Sequence, residues 1–409
     1  MVGCGSGRET ASIHSSLTEL GRLAHTAGAT VVDTVIQHRN APDPGWLIGR
    51  GKVEELAQTV EEERIDLILF DRELSPVQLM NLERRFPCKV LDRTQLILDI
   101  FAMRARTKEG SLQVELAQLE YSLPRLTGRG KEMSRLGGGI GTRGPGEKKL
   151  ETDRRHIRRR IRDLKRELEG VRKHRRLHQN RRRKMDMIQV ALVGYTNAGK
   201  STLFNRLTGA GVMEEDQLFA TLDPTSRFLD LPSGGKVLLT DTVGFIRNLP
   251  HHLVAAFRST LEQVGEADLL LHVVDGSHPE AMEQMKAVER VLADLGAGEV
   301  PVLTVFNKRD REAGAILSAE GETIRISAYD ADDREQLKEK IDQVLNATQI
   351  HGSAEIPVSW GEMISRFYQV AEIVHSEVDD LTMKVEFRLP LHRYERMSPE
   401  MKGLIRKDI

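Results

Sequence analysis

The stretch Gly194–Ser201 reads GYTNAGKS and matches the pattern GxxxxGKS. It lies directly after the apolar run Ile188–Val193 and before an apolar helix-like pattern that starts near Thr202. A glycine-rich turn between a strand and a helix lets backbone amides close around a diphosphate, with Lys200 directed at the β and γ phosphates. The hydroxyl of Ser201 can then bind Mg2+. The stretch therefore predicts a phosphate-binding loop inside an α/β domain.

A doubly wound α/β domain is expected over residues 186–348, because helix-like segments separate most of its apolar runs. Such a domain places the carboxyl ends of its parallel strands along one edge of the sheet, where ligands bind. The predicted strands are Ile188–Val193, Val237–Thr240, Leu269–Val274, Val302–Phe306 and Thr323–Ile326.

Two motifs downstream of the loop indicate a metal ion and a switch. The motif DTVG begins at Asp241 and ends at Gly244, so Asp241 would hold the water shell of Mg2+ and the Gly244 amide would sense a γ phosphate. Before it lies FATLD at Phe219–Asp223, in which Thr221 is the natural second hydroxyl ligand of Mg2+. Thr225 is the competing candidate for that ligand.

The base of the nucleotide is predicted from NKRD at Asn307–Asp310, which follows the fourth predicted strand. A carboxylate at Asp310 can accept from the N1 and N2 hydrogens of guanine, and adenine offers neither donor. Ser327 and Ala328 follow the fifth predicted strand and would support the base. The chain is therefore expected to prefer guanine nucleotides.

The candidate nucleotide-binding residues come from these five motifs together. They are Gly194, Tyr195, Thr196, Asn197, Ala198, Gly199, Lys200, Ser201, Thr202, Phe219, Ala220, Thr221, Leu222, Asp223, Asp241, Thr242, Val243, Gly244, Asn307, Lys308, Arg309, Asp310, Ser327 and Ala328. Ser201 and Thr221 are the candidate Mg2+ ligands, and no catalytic residue is assigned. His251 and His252 are adjacent after DTVG, but such residues are more often surface polar groups than catalysts.

Residues 1–105 are expected to form a small parallel α/β domain, because short aliphatic runs alternate with helical patterns. Ser75 and Pro76 mark a helix start, since Ser can cap and Pro suits the first helical position. No convincing strand is expected before Ser16. The predicted strands are Thr30–Gln37, Leu67–Phe70 and Lys89–Leu91, and the predicted helices are Val53–Glu63 and Ser75–Phe86.

Residues 106–185 are expected to form an antiparallel helical hairpin with a tip loop at 136–147, LGGGIGTRGPGE, where six of twelve residues are Gly. Two series of apolar residues at alternating spacings of three and four define its seams. They are Leu112, Leu116, Leu119, Leu123 and Leu126, and Ile157, Ile161, Leu164, Leu168 and Val171. Residues 349–409 are expected to form a small α+β domain.

Charge is strongly segregated along the 409 residues, although the formal net charge is only -1. Residues 148–184 hold 18 Lys and Arg and five acids, which indicates a polyanionic partner; a solvated helix face is the alternative interpretation. The two cysteines, Cys4 and Cys88, suit a reducing cytosol. No apolar run approaches the roughly 18 residues of a transmembrane helix. We expect a cytoplasmic monomer without membrane insertion.

Together, the nucleotide motifs resemble a translational-type P-loop GTPase, and the whole chain resembles the HflX family of ribosome-associated GTPases from about Ser16 to Leu389. The stretches that carry this resemblance are IGRGKVEEL at Ile48–Leu56, DRTQLILDIFAMRARTKEG at Asp92–Gly110, VELAQLEY at Val114–Tyr121, the loop GGGIGTRGPGE, LETDRRHIRRRI at Leu150–Ile161 and GYTNAGKSTLFNRLT at Gly194–Thr208. The resemblance implies a GTP hydrolase that binds the ribosomal large subunit and its RNA, splits stalled or idle ribosomes and cycles off as GDP forms.

Two other functions stay open at this point. One is an RNA-binding or ribosome-assembly scaffold in which the nucleotide domain is mainly a structural sensor, and the other is a signalling GTPase acting on a protein or membrane. Hydrolysis by the chain alone should be slow, because Phe245 follows DTVG where many GTPases place a Gln that orients water. Asn197 matches the position at which some related GTPases bind K+, so K+ joins Mg2+ as a candidate cofactor.

Overall fold

The computed structural model describes residues 1–7, 10–126, 145–184, 187–210, 218–219, 221–247, 264–311, 319–347, 349–379, 381–391, 394 and 397–407, with only the backbone described at 145–150, 172, 174–184, 369 and 390. These residues form two compact units. The first contains the described residues of 1–172, 215–223 and 246–260, and the second contains those of 173–214, 224–245 and 261–409. Over these described ranges, no helix is both long and apolar enough to cross a membrane.

The first unit opens with a four-stranded parallel sheet in the order β2-β1-β3-β4. Its strands and helices alternate along the chain, as the aliphatic runs predict. They are β1 Val2–Gly5, α1 Thr10–Thr26, β2 Val35–His38, α2 Arg50–Glu62, β3 Leu67–Phe70, α3 Pro76–Arg85, β4 Lys89–Asp92, α4 Arg93–Arg104 and α5 Lys108–Arg125.

The expectation that no strand precedes Ser16 is wrong, because β1 lies in the interior of the sheet between β2 and β3. The strand reads VGCG and offers little β-branched signal, yet all four residues are buried. A Cβ on Gly3 would lie 2.8 Å from Leu17 Cδ1, so glycine permits the close packing of α1 on this strand. Strand β2 is also shorter than predicted, beginning at Val35 instead of Thr30.

The predicted start of α3 is confirmed. Ser75 Oγ accepts a hydrogen bond from the Gln78 amide at 3.2 Å, and Gln78 Oε1 accepts one from the Ser75 amide at 2.9 Å. These two bonds form a capping box, and Pro76 occupies the first helical turn. Local sequence alone therefore fixes where this helix begins.

A long helix, α6, covers Pro145–Lys184 and packs its apolar seam on α5. Both predicted seams meet in one cluster, although Leu126 ends α5 as its C-cap and is not in the cluster. Leu164 is fully buried at the centre of this cluster. Its members are Leu112, Leu116, Leu119 and Leu123 from α5 and Ile157, Ile161, Leu164, Leu168 and Val171 from α6.

The second unit contains a six-stranded sheet in the order β10-β9-β8-β5-β7-β6, in which every pairing is parallel except that of the edge strand β6 with β7. The order places β5 inside the sheet, and helices follow β5, β8 and β10, as in a doubly wound fold. The elements are β5 Ile188–Gly194, α7 Lys200–Thr208, β6 Thr225–Asp230, β7 Lys236–Asp241, β8 Leu269–Asp275, α8 Ala281–Asp294, β9 Val302–Asn307, β10 Glu322–Arg325 and α9 Ala331–Ala347.

The last part of the second unit is an antiparallel sheet in the order β12-β13-β11-β14, confirming the α+β class expected there. One helix contributes Phe367 to its core, where the ring meets Phe387 edge-on at 4.9 Å. The elements are β11 Gln349–Pro357, α10 Gly361–Val370, β12 Glu372–Asp379, β13 Thr382–Pro390, α11 Pro399–Gly403 and β14 Ile405–Lys407.

Candidate nucleotide-binding site

The loop between β5 and α7 has a backbone that requires glycine at both of its motif positions. Gly194 has φ +151°, and a Cβ there would lie 2.2 Å from the Val273 carbonyl oxygen. Gly199 has φ +95°, and its Cβ would lie 2.3 Å from Asn307 Nδ2. A side chain at either position would collide with a neighbouring strand end, so the sequence can follow this path only with glycine.

The first residues of this loop are hydrogen-bonded to Phe245, the residue that directly follows the motif DTVG. The Thr196 amide donates to the Phe245 carbonyl at 2.7 Å, and the Phe245 amide donates to the Gly194 carbonyl at 3.1 Å. A Cβ on Gly244 would lie 2.7 Å from Thr196 Cγ2 and 2.9 Å from Lys200 Nζ. Glycine at position 244 therefore leaves room for the loop and its lysine.

Lys200 is buried, and its Nζ donates to the carbonyl oxygens of Gly194 at 3.1 Å and Tyr195 at 2.8 Å. Burial lowers the pKa of this amine to about 8, and the charge of Asp241 opposes that shift. Thr196 Oγ1 is also buried and makes no hydrogen bond with any described residue. An anionic ligand in the loop would give the amine the counter-charge that its burial calls for.

A hydroxyl and a carboxylate meet where α7 begins. Ser201 Oγ donates to Asp241 Oδ2 at 2.8 Å, and Asp241 ends β7 beside Leu192 of β5. Oxygen donors of this kind are those that Mg2+ prefers, so the pair fits the metal that the motifs imply. Thr225, the competing ligand candidate, lies opposite Asp241 in the β6 and β7 register.

The motif NKRD is bonded to the loop rather than left in solvent. Asn307 Nδ2 donates to the Ala198 carbonyl at 3.0 Å, and Lys308 Nζ donates to the Asn197 carbonyl at 2.8 Å. Lys308 also pairs with Asp275 Oδ2 at 2.7 Å. These bonds hold the loop after β9 against the phosphate loop.

The carboxylate proposed for the guanine edge is held by the loop after β10. Asp310 Oδ1 accepts from Ser327 Oγ at 2.5 Å, and the Ala328 amide donates to Asn307 Oδ1 at 3.0 Å. The Ser327 amide donates to Asp333 Oδ2 at 2.7 Å. The structure thus brings NKRD and the pair Ser327 and Ala328 together.

Three polar residues near this site were not predicted. Asp275 accepts a hydrogen bond from Lys308, and Asp333 accepts one from the Ser327 amide. The sequence does mark Asp275, because it is the carboxylate that directly follows the apolar run of β8. His272 lies inside β8, level with Val193 and Thr304, and is 3% exposed. Burial lowers its pKa to about 4, and the charge of Lys200 lowers it further. Nothing in an apolar strand distinguishes a buried neutral histidine from a half-exposed one.

The described residues of FATLD are not in the unit that contains the phosphate loop. Phe219, Thr221, Leu222 and Asp223 belong to the first unit, and Thr221 is buried. Arg309 pairs with Asp333 Oδ1 at 3.0 Å. Ala220, His251, His252 and residues 136–144 of the glycine-rich loop lie outside the described residues.

The six-stranded sheet, the phosphate loop and the guanine motif define a P-loop GTPase domain. Three family models match the chain: GTP-binding GTPase N-terminal at residues 14–102, GTP-binding GTPase Middle Region at 104–182 and 50S ribosome-binding GTPase at 189–308. The protein GTPase HflX of Alkalihalophilus pseudofirmus is 50% identical over 93% of this chain and 90% of its own length. GTPase HflX of Caldanaerobacter subterraneus is 56% identical over 81% of this chain and 77% of its own length. The chain belongs to the HflX GTPase family.

A solved structure also resembles the chain. It is a GTP-binding protein from the hyperthermophilic archaeon Sulfolobus solfataricus in complex with GDP, with 26% sequence identity and a TM-score of 0.45, and the alignment covers 84% of this chain and 97% of that one.

Proposed function

We propose that this GTPase acts on the ribosomal large subunit, binding it with GTP and leaving it after hydrolysis to GDP and phosphate, and that it splits or rescues ribosomes while bound. The observation that carries the nucleotide part is the bonded set of phosphate loop, DTVG and NKRD at one edge of the sheet. The ribosomal part is supported by the family model described as a 50S ribosome-binding GTPase and by the basic helix α6.

The residues of the nucleotide motifs have separate roles in this proposal. The loop amides and Lys200 hold the phosphates, Ser201 and Thr221 hold Mg2+, and Asp241 holds its water shell. Mg2+, when bound, would neutralise charge that develops on the phosphates during hydrolysis. Asp310 accepts from guanine, and Ser327 and Ala328 support the base.

The guanine assignment is tested by Asp310→Asn, which replaces an acceptor by an amide that matches xanthine better than guanine. We expect GTP affinity to fall by about a hundredfold or more and XTP affinity to rise, since a site built on paired hydrogen bonds rejects a mismatched base strongly. Equilibrium titration with fluorescent non-hydrolysable analogues of GTP and XTP measures both affinities. Unchanged GTP affinity would show that Asp310 does not contact the base.

Slow hydrolysis by the protein alone is expected because Phe245, 2% exposed, occupies the position after DTVG and cannot orient water. Stimulation must then come from a bound cation or from the ribosome. The exposed Asn197 has φ +60° and is our candidate for binding K+. Equal hydrolysis rates in K+ and Na+ would remove that role, whereas large subunits that leave turnover unchanged would remove ribosomal stimulation.

Co-sedimentation with purified large subunits tests the partner. We expect binding in a non-hydrolysable GTP analogue and release in GDP, and the same pellet fraction in both would favour the RNA-binding scaffold instead. Replacing residues 137–146 by a Ser-Gly linker of equal length should leave basal hydrolysis intact and abolish splitting. A linker variant that splits ribosomes normally would reduce that loop to a spacer.

Cytoplasmic location and a monomeric state are part of the same proposal, because the proposed partner is the ribosome. We also propose that the chain divides into four domains, at 1–105, 106–185, 186–348 and 349–409. In this division, the helical hairpin of the second segment and its glycine-rich loop contact the ribosome, and the third segment binds the nucleotide. No role is proposed for the last segment.

A further inference from the structure

The loop after β10 presents an exposed aromatic side chain beside the residues that would support the base. Tyr329 directly follows Ser327 and Ala328 and is 65% exposed. An aromatic ring gains most when its faces are covered, so a ring left exposed at a ligand site is a candidate for contact with that ligand. Tyr329 was not among the residues that the nucleotide motifs predict.

The backbone next to Tyr329 is held on both sides of its peptide group. The Ala328 amide donates to Asn307 Oδ1, at the end of β9, at 3.0 Å. The Ala328 carbonyl accepts from the Arg334 guanidinium of α9 at 3.1 Å. These bonds fix the residue before Tyr329 to a strand and a helix of the same unit. The tyrosine side chain therefore projects from a backbone that is ordered before any nucleotide binds.

The same backbone lies close to the carboxylate proposed for the guanine edge. The Tyr329 amide donates to Ser327 Oγ at 3.4 Å, and Ser327 Oγ donates to Asp310 Oδ1 at 2.5 Å. Because the two distances share one atom, the Tyr329 amide is no more than about 6 Å from the Asp310 carboxylate. A base whose N1 and N2 hydrogens meet this carboxylate is thus within reach of the Tyr329 side chain.

One face of the Tyr329 ring is next to a guanidinium. Arg206 Cζ, on α7, lies over the ring at 5.5 Å from its centroid. A cation within roughly 6 Å of an aromatic face is attracted to it, so Arg206 favours one position of the ring. Since a ring has two faces and Tyr329 is mostly exposed, the second face can take another planar group.

We propose that Tyr329 stacks on the guanine base of GTP and GDP, with Arg206 positioning the ring, and that this contact raises nucleotide affinity without selecting between bases. The inference rests on the proposed role of Asp310 at the guanine edge. Every nucleobase has a π-face, so stacking strengthens the binding of any base that the edge contacts admit. The Asp310 carboxylate then selects guanine, and the Tyr329 ring adds affinity.

Stacking on the base should not distinguish GTP from GDP, because the two nucleotides have the same base. Removal of the ring should lower both affinities by the same factor. A residue that acted on the phosphates would instead change the ratio of the two affinities. Equal loss is therefore the signature of contact with the base.

The test uses Tyr329→Ala and Tyr329→Phe in the full chain, with Tyr368→Ala as the matched control, because Tyr368 is an exposed tyrosine of α10. Isothermal titration calorimetry with unlabelled GDP and a non-hydrolysable GTP analogue measures both affinities. Tyr329→Ala should weaken both by about fivefold to a hundredfold, the range for truncation of a base-stacking aromatic residue. Tyr329→Phe, which keeps the ring, should bind nearly as tightly as the wild type, and Tyr368→Ala should change neither affinity. Unchanged GDP affinity in Tyr329→Ala would overturn the inference.

The role of Arg206 is tested in a double-variant cycle. Arg206→Gln should weaken GDP binding less than Tyr329→Ala does, and it should add nothing in the presence of Tyr329→Ala, because Arg206 acts through the ring. Losses that add in full would show that Arg206 does not position Tyr329. Contact itself is tested with Tyr329→Trp, whose indole fluorescence GDP should quench relative to the wild type, which has the same Trp46 and Trp360. A Tyr329→Trp protein with no added quenching would also contradict stacking.

Asp310→Asn separates failure of this inference from failure of the guanine assignment. In the Asp310→Asn background, adding Tyr329→Ala should weaken XDP binding by the factor that it weakens GDP binding in the wild-type background. If Asp310→Asn moves preference toward xanthine but Tyr329→Ala binds GDP normally, the role of Asp310 stands and stacking is wrong. If Asp310→Asn leaves GDP affinity unchanged while Tyr329→Ala weakens it, the ring contacts the nucleotide and the role of Asp310 is wrong.

Discussion

A buried amine and a buried imidazole lie close to each other behind the phosphate loop. Lys200 Nζ donates to the carbonyl oxygens of Gly194 and Tyr195, and Asp241 supplies the opposing charge. His272 lies beside it on β8, and the charge of Lys200 disfavours a second positive charge there. The site therefore has one cation, the Lys200 ammonium, and a neutral imidazole at His272.

Nucleotide binding should take up protons through Lys200. Its pKa is about 8 in the free protein, and a phosphate beside it favours the charged amine, so binding at pH 8.5 should take up a large part of one proton. Isothermal titration calorimetry in buffers of different ionisation enthalpy measures this number. In Lys200→Arg the guanidinium is charged at every pH used, so the uptake should vanish. Equal uptake in both proteins would assign the proton to another group.

The second unit should lose stability in mild acid through His272. Its folded pKa of about 4 lies below the ordinary value of 6.5, so the unfolded chain binds the proton first as the pH falls. Stability from this residue is complete above pH 6.5 and declines below it, by about 2 kcal/mol at pH 5. Urea unfolding followed by hydrogen exchange of β5 and β8 peptides at pH 7.5 and 5 measures the loss. His272→Leu should remove most of that difference, and an unchanged pH dependence would contradict the prediction.

Sequence predicted the residues whose roles follow from backbone shape or fixed spacing. Gly194 and Gly199 are needed because any Cβ would collide, and a motif records that need directly. Asp333 and His272 could not be predicted, because their roles depend on which strands and helices become neighbours. The same holds for Arg206, whose neighbour Tyr329 is more than a hundred residues away in sequence.

Helices α5 and α6 are joined by an apolar seam with ion pairs at its border. Arg160 binds both oxygens of Glu115 at 2.7 Å, and Lys165 lies 2.8 Å from Glu120. These pairs are exposed and contribute little to stability, so the seam must supply most of it. Leu164 is fully buried within the seam and Leu119 only in part.

Leu164→Ala should therefore destabilise the helix pair by about 2–5 kcal/mol, the range of fully buried leucines, because a cavity forms in the seam. Leu119→Ala is the matched control and should lose clearly less. Hydrogen exchange of α5 and α6 peptides in the full chain measures local opening for each variant. Equal opening in the two variants would mean that the seam is not the main source of their association.

Elements were predictable where one face is apolar and the other polar, as in α5, α6 and α3. Helix α4 lacks that contrast, because Leu96, Ile97, Leu98, Ile100 and Phe101 are all buried and no polar stripe marks its period. Strand β1 is too short and too rich in glycine for its sequence to predict a strand. Strand β6 is an antiparallel edge, for which a parallel α/β pattern gives no expectation.

At the scale of the molecule, the first unit contains residues from or next to two nucleotide motifs, FATLD and DTVG. Besides residues 218–219 and 221–223, the first unit contains Arg247, which follows DTVG by three residues and whose carbonyl accepts from Arg93 at 3.4 Å. Arg247 also donates to Ser15 Oγ at 3.4 Å. Arg93 is itself buried and paired with Glu19 and Asp71. The first unit, which includes α5 and α6 up to residue 172, thus contains described residues of FATLD and a residue that follows DTVG. Composition and motif order did not predict this grouping.

Basic residues on α6 fall into two classes that should differ in their effect on ribosome binding. Arg159 and Arg162 are exposed, and no ion pair is found for them among the described side chains. Arg160 and Lys165 have similar exposure but pair with glutamates of α5. Cations that are already paired gain less from RNA phosphates, because they must leave a carboxylate first.

The double variant Arg159→Gln with Arg162→Gln should therefore weaken binding to large subunits more than Arg160→Gln with Lys165→Gln, although each removes two positive charges. Each lost phosphate contact lowers the slope of log affinity against log salt by about one, so the difference should be largest at low salt. Filter binding or sedimentation at several KCl concentrations in the GTP analogue measures both slopes. Identical slopes for the two variants would show that α6 acts through its total charge rather than through its free arginines, and unchanged slopes in both would leave the basic helix as a solvated surface.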